Sequence, residues 1–307
     1  MEKFPDVHVG GIDLKDVVKE TVEELADDDV PGLAAEMAYH SLLAIFPFLL
    51  FLAGLTSIIE PLFGVGNLTD RIVEKASHVM PNDATTLLRS FTSEVVHSQG
   101  WGAIVFGFIG SLWAASAVVG VAMKALNRAY DVKEDRGFVR RKLVAIALTI
   151  GFSLFLISAT ILIATGSIMA GGVGHALGWR WEFVLLWNWL TLPVALALVI
   201  CAVGMLYWLA PNTTHEFKWV TPGALVFAVG WVVASLLLAL YVSKFGSYNR
   251  TYGSLGAVIV LLVWLYWTNM ILLVGGELNA VLAKRKDPTY RREQGPRPPH
   301  AGSKAQP

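Results

Sequence analysis

The residues with chemistry to offer are few, and apolar runs surround them. Glu36 and His40 are four positions apart, so they share one helix face near the start of an otherwise uncharged run. Lys124, Asn127 and Arg128 close a second run, and Glu277 and Asn279 close the last. Ionisable side chains at membrane depth are costly, which makes them the default functional candidates in such a chain. Gathered at one level, these acids, bases and amides would line a polar cavity fit to receive a substrate headgroup or a proton. A pair between Arg128 and Glu36 or Glu277 would neutralise charge and tie three helices together. The alternative is structural: the same residues anchor helix ends, with Lys124 and Arg128 snorkelling to headgroups. Both readings stand at this level. Enzyme chemistry has no comparable support. The seven histidines form no metal-spaced pair, and there is no Walker A, HExxH or GxSxG sequence. The expectation is no metal, no cofactor, no nucleic-acid partner and no catalysis.

The elements that would position these residues are long and apolar. Of 307 residues, 55% are apolar and 16% charged, where soluble domains run nearer to about 25% charged. A soluble globule could not hide that much apolar side chain. Charge-free stretches predict an all-α, polytopic membrane protein with six transmembrane helices, at about 33–59, 101–129, 143–170, 183–210, 219–243 and 254–282. No alternation of period two supports a barrel. Sixteen Lys and Arg fall on the side shared by both termini and six on the other, so both termini are expected to be cytoplasmic.

Around the membrane domain (33–284) lie three further segments. Residues 1–32 hold three lysines against ten Asp and Glu. Within them, Ile12, Val17 or Val18, Val22 and Leu25 mark a stripe, predicting an amphipathic elbow helix on the cytoplasmic membrane face. The acidic start lacks an apolar core, so no cleavable signal peptide is expected. Residues 60–100 form a helical extracytoplasmic cap, broken at Pro81-Asn82-Asp83. Residues 285–307, rich in proline and basic side chains, read as a disordered cytoplasmic tail near anionic headgroups. The lone Cys201 sits in an apolar run and leaves the redox compartment open.

Backbone signals add candidate hinges. Pro47 and Pro193 free carbonyls in mid-span, which marks either a hinge or a tolerated kink. Gly102-Ala-Ile-Val-Phe106 and Gly223-Ala-Leu-Val-Phe227 echo one another at the starts of two spans, the pattern an inverted repeat would leave. Gly253 and Gly256 permit close helix approach, and Trp187, Trp189, Trp208, Trp219, Trp264 and Trp267 suit interface anchors. Small faces such as Gly107, Gly110, Ala114 and Ala115 would pack spans within one subunit or between two copies, as in a homo-oligomer.

Several of these residues form an ordered set. The first span carries Ala34-Ala-Glu-Met-Ala-Tyr39-His40 and then Phe46-Pro47. The second ends Asn127-Arg-Ala-Tyr130, and the fifth begins Pro222-Gly223. The last carries Tyr252-Gly253-Ser-Leu-Gly256, Trp264-Leu-Tyr266 and Gly275-Gly-Glu-Leu-Asn279. In this order the motifs resemble the YihY/BrkB family of bacterial inner-membrane proteins, once labelled ribonuclease BN, over roughly residues 15–284. His40 departs from the small or hydroxylated residue the family often has there. The resemblance implies a multi-pass inner-membrane protein and a place in envelope integrity. Its old label implies tRNA processing, but the zinc ligands that such hydrolysis would need are missing. The reading is therefore ATP-independent transport or handling of a lipid or lipid-linked envelope solute. The alternative is an envelope scaffold whose cap and tails dock a protein partner.

Overall fold

A computed structural model describes residues 8–9, 12–63, 101–177, 180–213, 220–244 and 248–286. Within them the chain forms one short antiparallel pairing, β1 (His8–Val9) with β2 (Ile12–Asp13), and seven α-helices. The helices are α1 (Leu14–Asp27), α2 (Val30–Phe63), α3 (Trp101–Ala129), α4 (Phe138–Leu177), α5 (Arg180–Leu209), α6 (Pro222–Lys244) and α7 (Tyr248–Lys286). The expected all-helical class holds. The expected cap falls almost wholly on residues 64–100, and the tail on 287–307, both outside the described residues.

Five helices among the described residues are long and apolar enough to cross a membrane: Val105–Ala129, Phe138–Ala159, Trp189–Leu209, Pro222–Tyr241 and Val258–Lys286. The expected span 33–59 lies inside α2, most of whose C-terminal half has side chains outside the described residues. The helices overrun the charge-free stretches at several ends. A helix satisfies its own backbone, so it continues past hydrocarbon until a capping residue or turn stops it. Large apolar side chains point outward in helical rows, Ile150, Leu154 and Ile157 on α4 and Val233, Leu236, Leu237 and Leu240 on α6. Lipid is the solvent such rows fit.

The amphipathic elbow needs correction. Ile12 belongs to β2, and α1 starts at Leu14. The helix has two faces of different kind. Val17, Thr21 and Glu24 are buried, and Asp28 continues that row. Leu14, Val18 and Val22 form an exposed apolar row, with Val18 56% and Val22 58% accessible. The polar row therefore packs on protein, and the apolar row is the one left for a membrane surface.

Two aspartates in left-handed backbone, Asp29 and Asp131, both with φ 54°, make the sharp ends. Short polar side chains tolerate that conformation better than others. Asp29 ends α1 and starts α2, accepting from Gly32 N through Oδ1 (3.3 Å) and from Leu33 N through its carbonyl (3.0 Å). Asp131 follows α3, where Val132 N reaches back to Asn127 O and Asp131 N to Arg128 O, both at 2.8 Å. Those two bonds are a Schellman ending. Val132 then packs beside Ala129, Tyr130 and Ala280.

The chain divides into two compact units. The first comprises Met1–Leu33, Ala122–Val232 and Met270–Pro307. In it α4 packs along α5, and small residues let the backbones of α6 and α7 meet at Gly223 and Gly275. A methyl group on Gly223 would overlap the Gly275 carbonyl, and one on Gly275 would strike the Tyr207 hydroxyl. That hydroxyl donates to the carbonyl of Leu272. The second unit comprises Ala34–Val121 and Val233–Asn269. There Pro47 of α2 lies beside Gly110 of α3, and Trp264 Nε1 donates to Ser235 Oγ at 3.4 Å.

Candidate functional site

The polar residues of the first unit collect where α3 and α7 end. Two assemblies can be told apart there. One is built on the loop 130–137. Asn127 is buried at the end of α3, and its Nδ2 donates to Glu134 Oε2 at 2.9 Å. Its Oδ1 accepts from Asn212 N at 2.7 Å, and Asn212 Nδ2 donates to Lys133 O at 3.1 Å. Arg136 grips Glu134 through Nε (2.7 Å) and Nη2 (2.9 Å). The same guanidinium donates to the carbonyls of Leu209 (3.5 Å) and Ala210 (2.8 Å) where α5 ends. A cation on a helix C-terminus meets orphan carbonyls and the negative end of the dipole. Burial alone would raise the Glu134 pKa. Hydrogen bonds and charge from Arg136, with the Asn127 amide, outweigh it and hold that pKa below the ordinary carboxylate value.

The second assembly surrounds Glu277 on α7. This side chain is only 3% exposed, and its Oε2 has no hydrogen-bond partner. The charged groups facing it are Asp28, Lys284 and Glu24, all three themselves buried. Lys284 sits two turns further along α7 and is ion-paired to Asp131. Arg285 is paired to Glu20 on α1, with Nη2 to Oε2 at 2.7 Å. Arg128 donates from Nη1 to the carbonyl of Asp28 at 3.2 Å. The cation beside Glu277 is thus Lys284, where the sequence pointed to Arg128.

Asn279 does different work. Its Oδ1 accepts from Gly223 N (2.8 Å) and its Nδ2 donates to Thr221 Oγ1 (3.0 Å). Thr221 Oγ1 also accepts from Ala224 N at 3.2 Å, with Pro222 as first residue of the helix. Asn279 and Thr221 together cap α6. Lys124 is exposed on α3. Glu36 and His40 are half-buried on α2 and belong to the second unit, where His40 stands edge-on to Tyr39, 5.6 Å between rings. Tyr39 itself is exposed. Pro47 is half-buried, Pro193 and Pro222 are exposed, and Gly223 and Gly256 are buried. Tyr252 and Gly253 lie on α7, their side-chain positions outside the described residues.

The sequence reading missed Glu24, Asp28, Asp131, Glu134, Arg136 and Lys284. They lie outside the charge-free stretches that drew attention, in segments that read as ordinary solvated charge. One signal was available: Glu277 and Lys284 are seven apart and so share a helix face. Among the described residues, no three His, Cys, Asp or Glu side chains are grouped so as to hold a metal ion.

Residues 21–300 match the family model described as Virulence factor BrkB. The chain is 36% identical over 256 residues to a protein of Bacillus subtilis named putative ribonuclease-like protein YfkH, covering 82% of this chain and 90% of that one. It is 26% identical over 280 residues to a UPF0761 membrane protein of Pseudomonas paraeruginosa, covering 88% of this chain and 63% of the relative. A UPF0761 membrane protein of Vibrio vulnificus is 28% identical over 273 residues, with 88% and 83% covered. The Pseudomonas relatives are thus considerably longer than the segment they share with this chain. No solved structure matches.

Proposed function

The chain belongs to the Virulence factor BrkB family of multi-pass membrane proteins, and from that premise we propose that it moves or handles a lipid or lipid-linked solute of the bacterial envelope without ATP. In this reading it sits in the cytoplasmic membrane with both termini inside. Its partners are membrane lipids and further copies of itself, and it cleaves no RNA. The observation that carries the reading is Glu277: a buried carboxyl with an unpartnered oxygen, set in an apolar helix long enough to span a bilayer. Such a group is expensive to keep and marks a functional position by default. The excess of Lys and Arg around the α3–α4 loop and after α7 supports the orientation.

The test is reconstitution. Purified protein in vesicles should accelerate transbilayer movement of a fluorescent envelope phospholipid, and charge reversal at Glu277 should abolish that while the protein still inserts. A wild-type rate equal to that of protein-free vesicles, across the lipids of the envelope, sinks the reading. So does full activity after Glu277→Gln combined with Glu36→Gln.

One observation favours a scaffold instead. Asn127, Asn279, Arg136 and Arg285 are all committed to intramolecular bonds that cap or join helices. Crosslinking that recovers a stoichiometric envelope protein, with tolerance of substitutions at Glu36, Arg128 and Glu277, would select that reading.

A further inference from the structure

The carboxyl groups of Glu24, Asp28 and Glu277 come from two elements, α1 with its closing turn and α7, and they are 7%, 4% and 3% exposed. Of these, Glu277 faces both others. The facing cation is Lys284, and Lys284 is already paired with Asp131. Other charged or titratable groups on the surrounding elements have different work. Arg128 at the end of α3 donates to the Asp28 main chain, Arg285 holds Glu20, and the Tyr207 hydroxyl of α5 donates to Leu272 O. The part of α6 in this unit, Pro222–Val232, has no ionisable side chain. The groups facing Glu277 are thus two carboxyls and one cation, in surroundings where an unpaired charge is poorly tolerated.

A carboxylate can only accept hydrogen bonds, and Glu277 Oε2 accepts none. A proton on that carboxyl removes one negative charge and gives it a hydrogen to donate. A metal ion would need a set of ligands that the described residues do not supply. We propose that Glu277, with Asp28 and Glu24 as its neighbours, is a binding site for one exchangeable proton at the C-terminal part of α7. The site also bears on α1. Loss of the proton places like charges on both sides of the α1–α7 contact, so release of the proton loosens the elbow helix. The inference does not depend on a lipid cargo and stands apart from the transport reading.

Infrared difference spectroscopy of the full chain in lipid nanodiscs, stepped through pH, tests it. Wild type should show a protonated-carboxyl stretch at neutral pH that disappears on the alkaline side, and Glu277→Gln should lack it. Asp28→Asn removes a like charge, so the band should titrate about one pH unit lower. Lys284→Met removes the facing cation, so the band should titrate higher by a similar amount. Should Glu277→Gln fail to fold, the opposite shifts of the other two variants carry the test. Absence of the band in wild type overturns the proposal, as does an unchanged band in folded Glu277→Gln or a midpoint unmoved in both neighbour variants. A midpoint that follows sodium concentration at fixed pH also overturns it, since the occupant is then a metal cation.

Discussion

The α3–α4 loop and the Glu277 region lie in one compact unit and are made of similar residues, yet they are finished differently. In the loop Glu134 is held by Arg136 and Asn127, and Arg136 also donates to the carbonyls of Leu209 and Ala210 where α5 ends. Around Glu277 carboxyls outnumber cations, and one buried oxygen has nothing to accept. A fully satisfied polar network rigidifies a fold, and a partly satisfied one costs stability. Natural proteins keep the second kind where function needs it. The loop is a clasp, and the Glu277 region is a place where the described part of the chain gives up stability.

The contrast can be broken by substitution. The largest loss is expected from Arg136→Ala, which strands Glu134 and two helix-end carbonyls. Breaking one side of a largely buried pair costs about 3–4 kcal/mol, read as a fall in thermal stability of the detergent-solubilised protein. A cycle with Glu134→Gln should show strong coupling, and additive effects would mean that the clasp is not a unit. Next comes Gly223→Ala, where the new methyl meets the Gly275 carbonyl and the Asn279 amide. Forcing α6 away from α7 costs about 2–3 kcal/mol, and an unchanged melting temperature would refute the close crossing.

Acid sharpens the comparison further. The Glu134 pKa is lowered in the folded state, so its contribution to stability is complete above the ordinary carboxylate range. That contribution falls away as pH drops through the lowered folded value. Melting temperature should decline on that acid limb, and Glu134→Gln should flatten the decline. The smallest effect is expected from Glu277→Gln. It replaces a buried carboxyl that holds its proton at neutral pH by a neutral amide of similar shape, so stability should change by less than about 1 kcal/mol, in either direction. A loss as large as that of Arg136→Ala would erase the distinction between the two regions.

Much of the architecture was readable in advance because bilayer thickness converts directly into a count of apolar residues. Helices α3 (Trp101–Ala129) and α6 (Pro222–Lys244) lie over stretches expected at about 101–129 and 219–243. The elbow was misjudged in detail because periodicity alone cannot say which of two faces meets protein. Thr21, Glu24 and Asp28 took that place, and Val18 and Val22 stayed outside. Among the candidate site residues, Glu277, Asn127 and Asn279 were singled out for being polar at the ends of apolar runs. Their roles diverged because partners distant in sequence assigned them, Asn212 to Asn127 and Gly223 to Asn279.

The amino-acid order by itself determined helical class, the position of the apolar helices and the scarcity of charge within them, because each follows from local composition and the cost of an unsatisfied backbone in lipid. Tertiary structure alone decided which carboxyls face Glu277, which asparagine becomes a cap and which clasps a loop. Those outcomes depend on distances of a few ångströms between segments up to some 250 residues apart, such as Asp28 and Glu277, and no local pattern encodes them.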